Sequence, residues 1–277
     1  MNVLALNSEV AFGHVGNAAA RFALQRLGFE VWAVPTVMLS NHPAHGSHRG
    51  RATEPERFAA LIEGLAALGA LGRCDGVCSG YLGDASLAGE VAAAADRVRT
   101  ANPDAPYLCD PVIGDPAYGA YVPDSVREAI IGRLVPAADI ITPNALELGL
   151  IAGAEVASVE DALAASRAVL GRGPRAVVCT SLAVPGGMLA TIAVTAEEAF
   201  AVRTPRLEGQ FYGAGDVLAA LFLGHTLGGA GLAESLSNAV SSVFGVIAAS
   251  PGGELAVIAA QDQIVAPNRS FAAAPLL

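Results

Sequence analysis

Gly213-Ala214-Gly215-Asp216, running straight into the apolar stretch Val217 to Leu227, is the segment on which the reading of this chain turns. Two glycines permit a tight turn and a close approach of backbone to a ligand. The following run of small and apolar residues predicts a buried helix, at whose positive end the Ala214 and Gly215 N–H groups stand free. That geometry suits a phosphate or a developing oxyanion. Asp216 falls in the first helical turn, where a carboxylate can take a proton from a nucleophile arriving beside the anion. The combination points to phosphoryl transfer onto a hydroxyl group. The same four residues also read as a plain helix start with an acidic residue in its first turn.

Composition narrows the choice. The chain has 277 residues, 53% of them hydrophobic, enough for one large core in a single domain spanning 1–277. The most apolar stretches, 217–227 and 239–249, are interrupted by His225 or by Ser241 and Ser242, so neither approaches the ~18 residues of a membrane span. The first residues lack a basic region and lead directly into motif residues, so a cytoplasmic protein without a cleaved signal is expected. Net charge is −10, and all 16 cationic residues are arginine. An acidic surface without basic clusters argues against a nucleic-acid partner. Without lysine there is no phosphate-binding lysine of the Walker type and no lysine Schiff base. Any phosphate must be held by amides, arginine or metal. Cys74, Cys78, Cys109 and Cys179 lie near the ends of apolar runs, with no second pair at metal-finger spacing, and read as buried thiols.

Around the opening segment the chain keeps a regular α/β rhythm. Strands are predicted at Val3–Asn7, Val31–Val37, Gly76–Gly80, Tyr107–Asp110, Ile140–Thr142 and Ala176–Thr180. Helices are predicted at about 15–27, 55–70, 85–100, 124–134, 144–152 and 158–171. Such spacing implies right-handed crossovers and a mostly parallel sheet. Ligands on such sheets gather at the carboxyl ends of the strands, which here carry Asn7-Ser8, Gly80-Tyr81, Asp110, Thr142 and Thr180. Pro185-Gly186-Gly187 followed by alternating apolar residues, then Ala199–Thr204, reads as an antiparallel edge hairpin. Residues 38–52, rich in Asn, His, Ser and Gly, read as a mobile flap able to close over a substrate.

Several motifs occur in order along nearly the whole chain. They are Ser8 with Gly13-His14-Val15-Gly16-Asn17, Ser40-Asn41-His42, Gly80-Tyr81-Leu82-Gly83, Cys109-Asp110-Pro111-Val112, Thr142-Pro143-Asn144-Ala145-Leu146-Glu147-Leu148, Thr180-Ser181, Gly213-Ala214-Gly215-Asp216 and Ala260-Gln261-Asp262. The set resembles the bacterial branch of the ATP-dependent pyridoxal kinases, in the ribokinase-like superfamily. The resemblance implies a three-layer α/β/α fold around a central mostly parallel sheet with an antiparallel edge hairpin. It implies phosphorylation of the 5′-hydroxymethyl group of pyridoxal, and of pyridoxine or pyridoxamine, in vitamin B6 salvage.

By that resemblance Asp216 is the general base and the Gly213, Ala214 and Gly215 amides form the anion hole. Asp110 and Glu147 are the acids near Mg²⁺, directly or through water. Thr142 and Thr180 face the nucleotide phosphates, and Thr204-Pro205-Arg206-Leu207 runs beside adenine and ribose. Ser8, His42 and Tyr81 contact the vitamer. A homodimer and a monovalent cation belong to the same expectation. The chain departs from the family pattern at three places. Pro43-Ala44-His45 stands where a Thr-Gln pair often follows Ser-Asn-His, Thr180 replaces a lysine of some relatives, and Phe12 replaces a common tyrosine. A hydroxymethylpyrimidine kinase of the same superfamily and a vitamin B6 binder without turnover remain alternatives.

Overall fold

The structure, a computed structural model, describes residues 1–276. In chain order the first half contains β1 (Asn2–Phe12), α1 (Asn17–Arg26), β2 (Glu30–Asn41), β3 (Gly50–Ala52), α2 (Pro55–Ala67), β4 (Gly76–Ser79), α3 (Leu87–Ala101), β5 (Tyr107–Cys109), β6 (Gly114–Asp115) and β7 (Gly119–Ala120). Next, α4 (Asp124–Ala129) runs through a π turn (Ile130–Leu134) into α5 (Val135–Ala137), where Pro136 has no N–H to return to the preceding turn. The second half adds β8 (Ile140–Ile141), α6 (Ala145–Ala152), α7 (Val159–Leu170), β9 (Ala176–Val184), β10 (Met188–Val194), β11 (Ala199–Pro205), β12 (Phe211–Tyr212), α8 (Ala214–Leu227), α9 (Leu232–Ala248), β13 (Gly253–Glu254), α10 (Gln261–Val265) and β14 (Ala274–Pro275).

Ten strands form one sheet in the order β14-β11-β10-β9-β8-β5-β4-β1-β2-β3. The six from β9 to β2 are mutually parallel, whereas β3 and the run β10, β11 and β14 pair antiparallel at the two edges. The expected parallel sheet and edge hairpin are therefore both present. Both faces are covered, and the strands show why. In β1, Leu4 and Leu6 enter the core shared with α2, α3, α6 and α7, while Val3 and Ala5 enter the core shared with α1, α8 and α9. Period-2 alternation with both sets apolar is the signature of a strand buried on two sides. In α8 every residue from Val217 to Gly224 is buried, as a helix apolar all round requires. The four cysteines are free and buried.

Two elements outrun the sequence expectation. β1 continues past Asn7 to Phe12, and β2 continues past Val37 to Asn41, so the pair leaves the sheet as a ribbon above its carboxyl edge. Between the pairs Asn7/Pro35 and Glu9/Met38, one residue of β1 faces two of β2, a bulge that increases local twist and re-aims the ribbon. The flap at 38–52 is thus built rather than loose: β2, a 3₁₀ turn at Pro43–His45, and β3 returning antiparallel. Ser40 Oγ accepts the Arg49 N–H at 2.9 Å and Asn41 Nδ2 donates to Ser47 O at 2.8 Å, closing its base.

Candidate active site

Gly213 begins the site with φ +90, and a Cβ there would lie 2.1 Å from His14 O, so only glycine fits the turn. The first helical hydrogen bond of α8 is Val217 N–H to Gly213 O at 3.0 Å, which leaves the 214–216 amides at the open positive end. No side chain caps this end. Asp216 instead reaches toward β1. Its Oδ1 accepts from Asn7 Nδ2 at 2.8 Å and its Oδ2 accepts from Gly16 N–H at 2.9 Å. Enclosure raises its pKa above the ordinary carboxylate range, and those two donors pull it back.

Asp110 follows β5 and is buried, with Oδ1 accepting from Thr142 Oγ1 at 3.0 Å. Its other oxygen faces α8, since a Cβ on Gly215 would stand 3.8 Å from Asp110 Oδ2. Burial, then the charges of Glu147 and Asp216, hold Asp110 well above the usual carboxylate range. Glu147 sits one turn into α6 and is also buried. Its Oε1 accepts from Ile113 and Gly114 N–H (2.7 and 3.1 Å) and its Oε2 accepts from Asn144 N–H (3.0 Å), completing a capping box. Burial nevertheless pushes this carboxyl up to about 7. Glu147 therefore organises the 110–114 turn, where Val112 is held at φ +47, a strained value for a β-branched residue.

The sequence-predicted nucleotide residues also lie along the carboxyl edge. Thr180 N–H donates to Pro143 O at 2.9 Å, and Thr180 precedes Ser181 (φ +59) at a bulge between β9 and β10. Thr204 and Pro205 end β11 opposite the end of β9, because Pro205 pairs with Met188, which pairs with Val184. Thr204 is buried; Arg206 is exposed and held by its N–H to Gly187 O at 2.9 Å, and Leu207 follows it half-buried.

Ser8 and Tyr81 meet beside Asp216, their N–H groups converging on Asn7 Oδ1 at 2.7 and 2.9 Å. His42, at the flap tip, stacks on Tyr212 with ring centroids 4.5 Å apart. Burial, then the His45 ring, lowers the His42 pKa and favours its neutral form. Nδ1 accepts the Ala44 N–H at 3.2 Å, which leaves the neutral ring's proton on Nε2.

Asn7 reads in the sequence only as a polar strand end, and Tyr121, Tyr212 and Glu254 give no signal there. The Tyr121 hydroxyl is pushed up by desolvation and then by the charges of Glu147, Asp110 and Asp216, although the residue as a whole is exposed. Tyr212 and Glu254 are neighbours through the two-residue ribbon of β12 and β13. Among the described residues no group of three His, Cys, Asp or Glu side chains could hold a metal alone. The donor set suits an ion that brings oxygen ligands with it, since Asp110 Oδ2 faces the open N-terminus of α8 and accepts no hydrogen bond among the described residues.

The chain as a whole has close counterparts among known proteins. A family model described as phosphomethylpyrimidine kinase matches residues 36–255. The pyridoxal kinase PdxY of Rubrobacter xylanophilus is 46% identical over 278 residues, covering 98% of this chain and 96% of that protein. The chain belongs to the pyridoxal kinase family. The pyridoxal kinase PdxY of Deinococcus radiodurans is 42% identical, covering 98% and 95% of the two chains. A pyridoxal kinase from Leishmania donovani, solved in complex with ADP and pyridoxamine, superposes with a TM-score of 0.94 at 29% identity, covering 100% and 99%. The fold is accordingly ribokinase-like.

Within this family the departures of the chain can now be placed. Pro43 opens the 3₁₀ turn of the flap, and His45 closes it, with Nε2 2.7 Å from Glu254 Oε1. Phe12, exposed at the end of β1, meets the His45 ring edge-on at 5.8 Å. The flap that lacks the Thr-Gln pair is thus fastened by histidines to β12 and β13. Candidate membrane spans are absent among the described residues: no helix is long and apolar enough to cross a membrane.

Proposed function

We propose that the chain transfers the γ-phosphoryl group of ATP to the 5′-hydroxymethyl group of pyridoxal, with pyridoxine and pyridoxamine as further substrates. The observation that carries this reading is the Asp216 carboxylate, gripped by Asn7 and Gly16, beside the open N-terminus of α8. Asp216 accepts the hydroxyl proton as the substrate oxygen bonds to the γ-phosphorus and the bond to the β-phosphate oxygen breaks, releasing ADP. Its raised pKa brings it nearer the working range of a general base. The Gly213, Ala214 and Gly215 amides hold the charge that develops on the transferring group.

Asp110 and Glu147 are the residues that would hold Mg²⁺, Asp110 through its free oxygen and Glu147 through water; the ion, when bound, neutralises phosphate charge. A monovalent cation beside the same acids is part of this reading. Thr142 and Thr180 contact the phosphates, and Thr204-Pro205-Arg206-Leu207 flanks the adenosine. Ser8 and Tyr81 border the vitamer, and neutral His42 presents its Nε2 proton from the flap. We place the enzyme in the cytoplasm as a single-domain homodimer with no nucleic-acid or membrane partner. Exposed Met38 on β2 and Leu61 on α2, which packs on β2, offer an apolar edge for the second copy.

The test is mass spectrometry of pyridoxal, pyridoxine, pyridoxamine and hydroxymethylpyrimidine, each incubated with the protein and MgATP. Pyridoxal 5′-phosphate should be the dominant product. Phosphorylation of hydroxymethylpyrimidine alone would overturn the substrate assignment, and calorimetric binding of pyridoxal without product would overturn the enzyme. Asp216→Asn should lower kcat about 10²- to 10⁴-fold while binding both substrates.

A further inference from the structure

Asn7 lies midway along β1, 5% exposed, at the point where β1 leaves its regular pairing with β2. Its Oδ1 accepts the N–H groups of Ser8 and Tyr81, and its Nδ2 donates to Asp216 Oδ1. A carboxamide has one acceptor atom and one donor atom. Two amide hydrogens converging on one atom require that atom to be the oxygen, so the nitrogen must face Asp216. The backbone is clamped too, because Asn7 O accepts from Asn17 Nδ2 at 2.9 Å, and Asn17 is fully buried on α1. Gly80 approaches so closely that a Cβ on it would lie 2.3 Å from Asn7 Nδ2.

Asn7 and Gly16 are the two donors to the Asp216 side chain among the described residues. The other ionisable groups near it, Asp110 beyond β5, the Cys78 thiol on β4 and the Tyr121 hydroxyl, feel its charge, which raises the pKa of each, but make no hydrogen bond to it among the described residues. With each oxygen held by one donor, the carboxylate cannot turn about its Cβ–Cγ bond, and its remaining lone pairs stay aimed at the cleft.

We infer that Asn7 is a positioning residue for phosphoryl transfer: one face of its carboxamide fixes the bearing of Asp216, and the other ties that bearing to the Ser8 and Tyr81 wall of the vitamer pocket. The inference rests on the reading of Asp216 as proton acceptor. A single side chain thus sets base and substrate in register, the kind of alignment whose loss lowers turnover more than binding.

Steady-state kinetics of full-length Asn7→Ala should show kcat lowered about ten- to a hundredfold, the range for losing a hydrogen bond to a charged group. KM for pyridoxal should rise, because the Ser8 and Tyr81 amides lose their acceptor. KM for MgATP should stay within about twofold, since no proposed nucleotide contact changes. A merely structural role would lower stability and leave kcat per folded molecule intact. The exchanged pair, Asn7→Asp combined with Asp216→Asn, supplies the second readout. The new carboxylate at position 7 keeps accepting from Ser8 and Tyr81 and gains the new carboxamide at 216, whose oxygen still accepts from Gly16. Its thermal midpoint should exceed that of Asn7→Asp alone, while turnover stays absent.

Wild-type kcat in Asn7→Ala, or an exchanged pair no more stable than Asn7→Asp, overturns the inference; the thermal comparison decides it if Asn7→Ala does not fold. Wild-type turnover in Asp216→Asn would instead overturn the assignment of the base, whatever Asn7 does. An inactive Asp216→Asn beside a fully active Asn7→Ala removes Asn7 alone.

Discussion

Glu254→Ala tests whether the flap is fastened from outside the flap itself. His45 Nε2 lies 2.7 Å from Glu254 Oε1, with the two side chains 32% and 36% exposed. A hydrogen bond to a charged group contributes about 1.5–3 kcal/mol when buried, and an exposed ion pair about 0–1 kcal/mol. A pair one-third exposed falls between, near ~1 kcal/mol. The His42–Tyr212 stack remains in the variant and holds the same tip. Losing ~1 kcal/mol lowers the closing constant of the flap about fivefold. A ligand that binds the closed form then shows a KM raised by up to that factor. Steady-state formation of pyridoxal 5′-phosphate, followed by chromatography, should give a three- to fivefold rise in pyridoxal KM, on the order set by this arithmetic. KM for MgATP should not change. His45→Ala should give the same rise, and the double variant should add almost nothing further. Unchanged pyridoxal KM, or two single effects that multiply in the double variant, would refute the coupling.

Two further perturbations follow from the carboxylate cluster and from the turn. Asp110→Asn keeps the bond to Thr142 and removes one of three crowded charges. Because the folded pKa of Asp110 is raised, its stability contribution is present below the ordinary carboxylate value and is lost as pH rises through the raised value. The variant should therefore melt above wild type at pH 8 by about 2–4 °C for each 1 kcal/mol relieved, with a smaller gain at pH 5, while KM for MgATP rises. A larger gain at pH 5 than at pH 8 would contradict the sign. Gly213→Ala meets both a positive φ and the His14 carbonyl, and should cost about 1 kcal/mol or more together with most activity. A chemical-denaturation midpoint equal to wild type would show that the turn tolerates a side chain.

How much of this was legible in the sequence depends on the distance over which each signal acts. The α8 segment was readable because both its signals are local: glycines at the turn and unbroken apolar character through Gly224. Strand positions in the sheet interior were readable from short apolar runs bounded by polar residues. The continuation of β1 and β2 into the flap was not, since Ser8, Glu9, Ser40 and Asn41 carry polar side chains in strands that face the cleft and solvent. The ribbons β6–β7 and β12–β13 contain two residues per strand, too few for any periodicity. Asn7 reads in the sequence only as a polar strand end, because its partner Asp216 lies 209 residues away. Glu254 was silent for the same reason, its meaning resting on a histidine in the flap.

The missing lysines and the crowded carboxylates make one argument. Asp110, Glu147 and Asp216 sit close enough for the charges of Glu147 and Asp216 to raise the pKa of Asp110, so the proposed transfer centre by itself would repel phosphates. A lysine there would offset that repulsion, but the chain has none, and Arg206, the one cation among the proposed nucleotide residues, is exposed. On the proposed reading, the compensation comes from two sources that carry no side-chain charge of their own. The α8 amides act over the first turn of the helix, and the ion accompanying ATP meets the free oxygen of Asp110. Each carboxylate then has a distinct use set by its hydrogen bonds. Glu147, held by three amides, shapes the 110–114 turn and reaches the ion through water. Asp110, with one free oxygen, meets the ion. Asp216, gripped at both oxygens and aimed by Asn7, takes the proton. Arrival of the metal-bound nucleotide removes the repulsion that burdens Asp110, so nucleotide binding should stabilise this chain more at pH 8, where Asp110 is charged, than at pH 5.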